Sequence, residues 1–167
     1  MSNLNYTAYR RVVSNETVDW SNKISVDVPT DVTEVHVDVA TNGGTIGGSA
    51  VLSMRANDNT GSVYEFYSRL ATHTGYNFGN STDTLMELTT LSSTANAVAL
   101  GYTVVYPRVT DKYNEIVQEG CEKIGSNRKM ATRIYRFLDN VNAITSLQFF
   151  TSTSVASSFN LTVRFVR

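Results

Sequence analysis

Cysteine is almost missing from this chain: Cys121 stands alone. One thiol excludes an internal disulfide framework and a multi-cysteine zinc site. As a small apolar side chain, Cys121 is expected to be buried. Histidine is nearly as scarce, with His36 and His73 only. A serine–histidine triad would have to draw on one of these two, and no G-x-S-x-G elbow is present. His36 falls on the polar face of an alternating stretch and His73 sits in a polar stretch without a motif, so both read as solvated. No surplus of either charge exists, the formal net charge being −1. That excludes a bulk basic field for nucleic acid. No apolar run approaches the roughly 20 residues of a membrane helix. The start, MSNLNYTAYRR, has no signal-peptide apolar region. The expectation is a chain made in the cytosol, with no cofactor, no metal, no nucleic-acid partner and no membrane partner.

What is present is a chain of 167 residues, 41% hydrophobic and 17% charged, enough for one domain with a real core. Strand patterns dominate. Val35, Val37 and Val39 alternate with Glu34, His36 and Asp38, a half-buried strand. Ile24–Val28 alternates before Pro29. At the end, Phe159, Leu161, Val163 and Phe165 alternate with Asn160, Thr162 and Arg164. Ala143–Phe150, Ala97–Val105 and Lys129–Leu138 are further strands, and Leu85–Leu91 is apolar without a clear register. Residues 111–125 could be a short helix, but Gly120 and the β character around it favour an irregular strand. Asn42–Gly48 (NGGTIGG) and Ala71–Thr84 read as loops. Short strands with polar turns, no repeat and no long helix point to an all-β sandwich. Residues 1–19 are an N-terminal arm or a first strand, and 20–167 the sandwich.

The stretch Val51–Leu70 reads as a hairpin. Val51, Ser53 and Arg55 alternate with Leu52, Met54 and Ala56, and Val63–Leu70 resumes with Tyr64, Phe66 and Tyr67. Between them lies Asn57-Asp58-Asn59-Thr60-Gly61, a cluster of turn formers. Gly61 is expected at φ > 0, so that Gly61→Val would cost on the order of 1–2 kcal/mol. The cluster begins like a calcium loop but lacks the glycine at the sixth and the glutamate at the twelfth place. It reads as a structural turn.

Other constellations carry less. The glycines after Asn42 lack dinucleotide spacing and precede a strand. No pair stands out among fifteen acids for glycoside hydrolysis. Basic residues from Arg108 to Arg136 interleave with Asp111, Glu115, Glu119 and Glu122, as on a solvated surface or a polar interface.

Two stretches resemble the jelly-roll proteins of tailed-phage virions. One is Met54–Tyr64, a strand ending in Asn, an Asp/Asn-Thr-Gly-type turn, and a Tyr opening the next strand. The other is Ala143–Phe150 with its polar loop into Phe159–Phe165; Val32–Val39 is similar too. The usual Gly-Ser before the last strand and the Leu-Tyr-Gly-Ile type ending are replaced by Ser157-Ser158 and Arg164–Arg167. The resemblance implies an antiparallel jelly-roll β-sandwich in a bacteriophage virion, without enzymatic activity. It implies a capsid decoration or head-fibre protein, commonly trimeric, whose partner is the major capsid protein or another virion protein. The alternative is a tail receptor- or carbohydrate-binding module, with Tyr76 and Phe78 in a polar loop. Interface candidates are Tyr6, Tyr9, Arg10, Arg11 and Trp20. Deleting Met1–Val13 is expected to leave the sandwich folded and to weaken particle binding.

Overall fold

The structure, a computed structural model, describes residues 7–45, 48–72, 75–93, 98–107, 114–124, 127–138 and 143–167. The strands are β1 (Thr7–Thr17), β2 (Ile24–Asp27), β3 (Glu34–Thr45), β4 (Ala50–Ala56), β5 (Tyr64–Thr72), β6 (Gly75–Asp83), β7 (Met86–Leu91), β8 (Val98–Val105), β9 (Asn114–Ile124), β10 (Asn127–Phe137), β11 (Ser146–Thr151) and β12 (Ala156–Val166). No helix occurs among the described residues. Two antiparallel sheets pack face to face. The eight-stranded sheet runs β1-β12-β3-β8-β9-β10-β5-β6, and the four-stranded sheet runs β2-β11-β4-β7.

The alternation in the sequence sets the faces. Val35, Val37 and Val39 of β3 and Phe159, Leu161 and Val163 of β12 are buried and point toward the small sheet. The small sheet answers with Leu52, Met54, Leu147 and Phe149, all inaccessible to solvent. Each such side chain contributes roughly 1.5–3 kcal/mol by leaving water. The small sheet reaches only part of the large one. Its β7 edge lies over β8 and β9, so much of the β5–β6 hairpin projects past the sandwich.

Beneath β7 the two sheets approach closely. Gly101 and Gly120 face each other across β8 and β9. A Cβ at Gly101 would meet the Leu88 carbonyl oxygen at 3.2 Å. That oxygen accepts a 2.5 Å hydrogen bond from the buried Gln118 amide, so it has little room to retreat. Gly101→Val is expected to destabilise the protein by about 2–3 kcal/mol through overpacking, read as a lower urea midpoint with an unchanged slope.

The Val51–Leu70 hairpin does not form. β4 belongs to the small sheet and β5 to the large one, so residues 57–63 carry the chain across the sandwich. The turn's bonds explain why. Asn59 N–H donates to the Ala56 carbonyl (3.0 Å), closing a tight turn. Beyond it, Asp58 N–H donates to Gln148 Oε1 (2.9 Å) and Asn57 binds Ala143, Thr145 and Ser146. Those partners lie on or just before β11, not on β5. Tyr64 then points back from β5, its hydroxyl accepting from Ala56 N–H at 2.8 Å. The positive φ falls on Asn57 (54°) and Asp58 (57°), and Gly61 has no left-handed backbone. Asx side chains satisfy the local backbone and tolerate this region, so the glycine is not needed for it.

Three further expectations change. β3 runs on through residues 42–45 and β6 occupies most of the expected loop at 71–84; Ile46, Gly47 and His73 lie outside the described residues. β6 shows no apolar alternation because it lies at the sheet's end, with residues 77–82 exposed on both faces. Cys121 is exposed, not buried, since Ile116 and Gln118 take the inward positions of β9. The segment 111–125 is strand over Asn114–Ile124, as the weight of its sequence suggested.

Candidate functional site

The residues singled out as interface candidates are split between two faces. Tyr6 lies outside the described residues. Tyr9, on the inward side of β1, packs against the core. Arg10 is exposed and pairs in register with Thr162 on the outer face of the large sheet. Arg11 bonds Glu16 at 2.9 Å, and that bond raises the guanidinium pKa above its ordinary value. Trp20 covers the other side of the molecule. Its ring meets Phe150 edge-on at 4.8 Å, with Lys23 Nζ 4.0 Å and Arg55 Cζ 4.4 Å from its centroid. Trp20 is thus a clamp on the outside of β11. Asp19, one residue before it, accepts hydrogen bonds from the Ser154 hydroxyl and the N–H groups of Asn22 and Ser21, which lower its carboxyl pKa. In the turn cluster, Asp58 pairs with Lys23 at 2.9 Å, and Gly61 N–H donates to Asn59 Oδ1 at 2.8 Å. These groups hold the crossover.

The outer face of the large sheet gathers residues that no local motif announces. Cross-strand register places Val12, Asn160, Ala40, Leu100, Cys121, Met130 and Ala71 in one row over seven strands. Of these, Val12 and Met130 are each 66% exposed and Leu100 is 48% exposed. A shallow hollow of about 540 Å³ lies over the row, floored by Ala40, Leu100, Gly101, Gly120 and Met130. The wall is polar. Arg164 pairs with Asp38 at 2.6 Å. The His36 ring is held from both nitrogens, Nε2 by Glu34 (2.8 Å) and Nδ1 by the Tyr102 hydroxyl (2.9 Å). Burial, with Asp38 close by, raises the Tyr102 pKa. His36 is therefore a braced, half-buried ring rather than a solvated one.

A broad face with apolar centre and paired charges around it suits protein contact. The hollow on it is open to solvent rather than enclosed. Among the described residues no cluster of His, Cys, Asp and Glu could hold a metal ion. The sequence could show that Leu100, Cys121 and Met130 sit in strands; only the register across β8, β9 and β10 places them side by side. Of the other named aromatics, Phe78 lies on β6 with 78% of its surface exposed, and the Tyr76 side chain lies outside the described residues.

The interleaved charges of β9 and β10 are in part a polar interface. Arg133 turns inward to Glu87 (3.1 Å) and Gln118 (3.2 Å). Next to it, burial pushes the Tyr135 phenol up to about 12, and its hydroxyl accepts from Glu87 N–H at 3.2 Å. These bonds fasten β7 to the large sheet. Comparison with family models, with curated proteins and with solved structures found no match.

Proposed function

We propose that this chain is a non-enzymatic structural protein of a bacteriophage virion, docked on a capsid or other virion protein through the outer face of its large sheet. The observation that carries the reading is that face: an exposed apolar row bounded by ion-paired side chains. A row that crosses seven strands suits a broad contact with a few anchors, Leu100 and Met130 first among them.

The connectivity supports a jelly roll as the frame. Strands β1, β3, β8 and β12 lie in the large sheet and β2, β4, β7 and β11 in the small one. Along the chain these eight strands step between sheets, with β4 and β7 as the one successive pair in the same sheet. That is the winding of two Greek keys, a frame shared by viral capsid and lectin domains. The hairpins β5–β6 and β9–β10 are then insertions that widen one sheet.

The test is location. Antibodies to the purified protein are applied to phage particles from the producing culture and imaged by electron microscopy. Label on heads is the expected result; label on tail tips moves the protein to the receptor-binding alternative, and particles without label overturn the virion reading. On heads, Leu100→Glu with Met130→Glu should lower occupancy at least about 10-fold, the loss of one central hot spot. Both positions are exposed, so the melting temperature should stay within a few degrees of wild type.

A further inference from the structure

From its four sheet edges, we infer that the protein pairs with a second copy of itself through β6, making one continuous antiparallel sheet across a two-fold axis. The edges are not alike. β1 carries Arg10, Arg11 and Glu16, and its register breaks between Val13 and Glu16, with Asn15 at φ 55°. β2 has four residues. β7 is bulged against β4 and packs over β8 and β9. Charge, bulges, shortness and cover are the ways sheets keep their edges from pairing.

Among the described residues β6 has none of these apart from one charge, Asp83, at its end. It runs nine residues, Gly75–Asp83, in unbroken register with β5. Its first eight residues, GYNFGNST, contain no charge and no proline. Residues 77–82 are exposed, and no described strand pairs with the far side of β6. Outward backbone N–H and C=O groups there form a template for another strand.

The strand is complementary to itself. The register that pairs all nine residues puts Gly79 opposite Gly79 of the second copy, Phe78 opposite Asn80, and Gly75 opposite Asp83. No like charges meet, because the one acid of the strand faces a glycine. Phe78, otherwise the most exposed large apolar side chain described, is covered at the seam. A contact on a two-fold axis closes after two copies and leaves no second β6 edge to grow from.

The experiment is sedimentation of the full chain. The expected species has twice the 18.4 kDa chain mass. Phe78→Lys should return it to the single-chain mass with unchanged melting, since the side chain is exposed. In a Cys121→Ser background, Gly79→Cys should cross-link into a dimer on mild oxidation, because directly opposed Cα atoms lie roughly 4.5–5.5 Å apart, within disulfide reach. Ser68→Cys, one strand further in, should not. A single-chain wild type, open-ended aggregation, a dimer indifferent to Phe78→Lys, or a dimer that Gly79→Cys fails to link would each overturn the β6 contact. The result is independent of the virion reading: a protein that dimerises this way and labels no particle keeps the contact and loses the virion.

Discussion

Deleting residues 1–13 is expected to remove on the order of 5 kcal/mol, about as much as a marginally stable domain possesses. Read as a detachable arm, this segment could go without harm. In the structure its described part is most of β1, the outer strand beside β12. Seven consecutive residues, Thr7 to Val13, pair with Phe165 to Phe159. Val13 is fully buried and Tyr9 packs against the core. Losing Val13 alone forfeits roughly 1.5–3 kcal/mol of burial. The truncation also uncovers the flank of β12 beside Phe159, Leu161 and Val163. Ladder hydrogen bonds contribute about 0.5–1.5 kcal/mol each, in part offset by the entropy of ordering the strand. The newly exposed β12 edge would be long and apolar, a site for aggregation. Circular dichroism and thermal melting of the truncated chain check this. Wild-type melting would return residues 7–13 to the status of an arm.

That the sequence leaves residues 1–19 open between an arm and a first strand has a physical source. A strand on a sheet edge need bury little on either side, so Thr7–Thr17 shows Arg10 and Arg11 together where alternation would be sought. β6 escaped for the same reason, its exposed residues 77–82 being polar or glycine apart from Phe78. The strands at the centre of the sandwich were legible because burial of one face imposes period two on them: Val35–Val39, Leu52–Ala56 and Phe159–Phe165 all show it. What period two cannot encode is which sheet a strand joins. β4 and β5 both carry the pattern, yet they lie on opposite sides of the core. The candidate face was illegible for a related reason. Leu100, Cys121 and Met130 are outward residues of three strands, and each alone is an ordinary exposed or expected-buried side chain. They become a row only through the pairings of β8 with β9 and β9 with β10.

The second large effect is expected at Asn57, where the turn cluster was legible and its destination was not. Asn57→Ala should cost about 3–4 kcal/mol, a fall of about 10 °C in melting temperature for a domain of this size. Two terms add. The backbone there has φ 54°, a conformation that costs an ordinary side chain with a Cβ roughly 1–2 kcal/mol. The amide side chain is also the hub of the crossover. Its Nδ2 donates to the Ala143 carbonyl at 3.0 Å, and its Oδ1 accepts from Thr145 N–H at 2.8 Å and Ser146 N–H at 3.3 Å. Alanine leaves those groups to find other partners at the entrance to β11, where part of the site is closed to water. Asn57→Gly separates the terms, since glycine adopts φ > 0 freely but offers no amide. It should recover about 1 kcal/mol of the loss. Gly61→Val, by contrast, should cost little, because its φ is ordinary and a Cβ meets only side-chain atoms, Asn59 Oδ1 at 3.2 Å and Val63 Cγ1 at 3.5 Å. Urea denaturation of the three variants ranks them: Asn57→Ala lowest, Asn57→Gly between, Gly61→Val near wild type. An order with Gly61→Val lowest would place the strain of the turn back on the glycine and dissolve the role of Asn57 as the link between the crossover and β11.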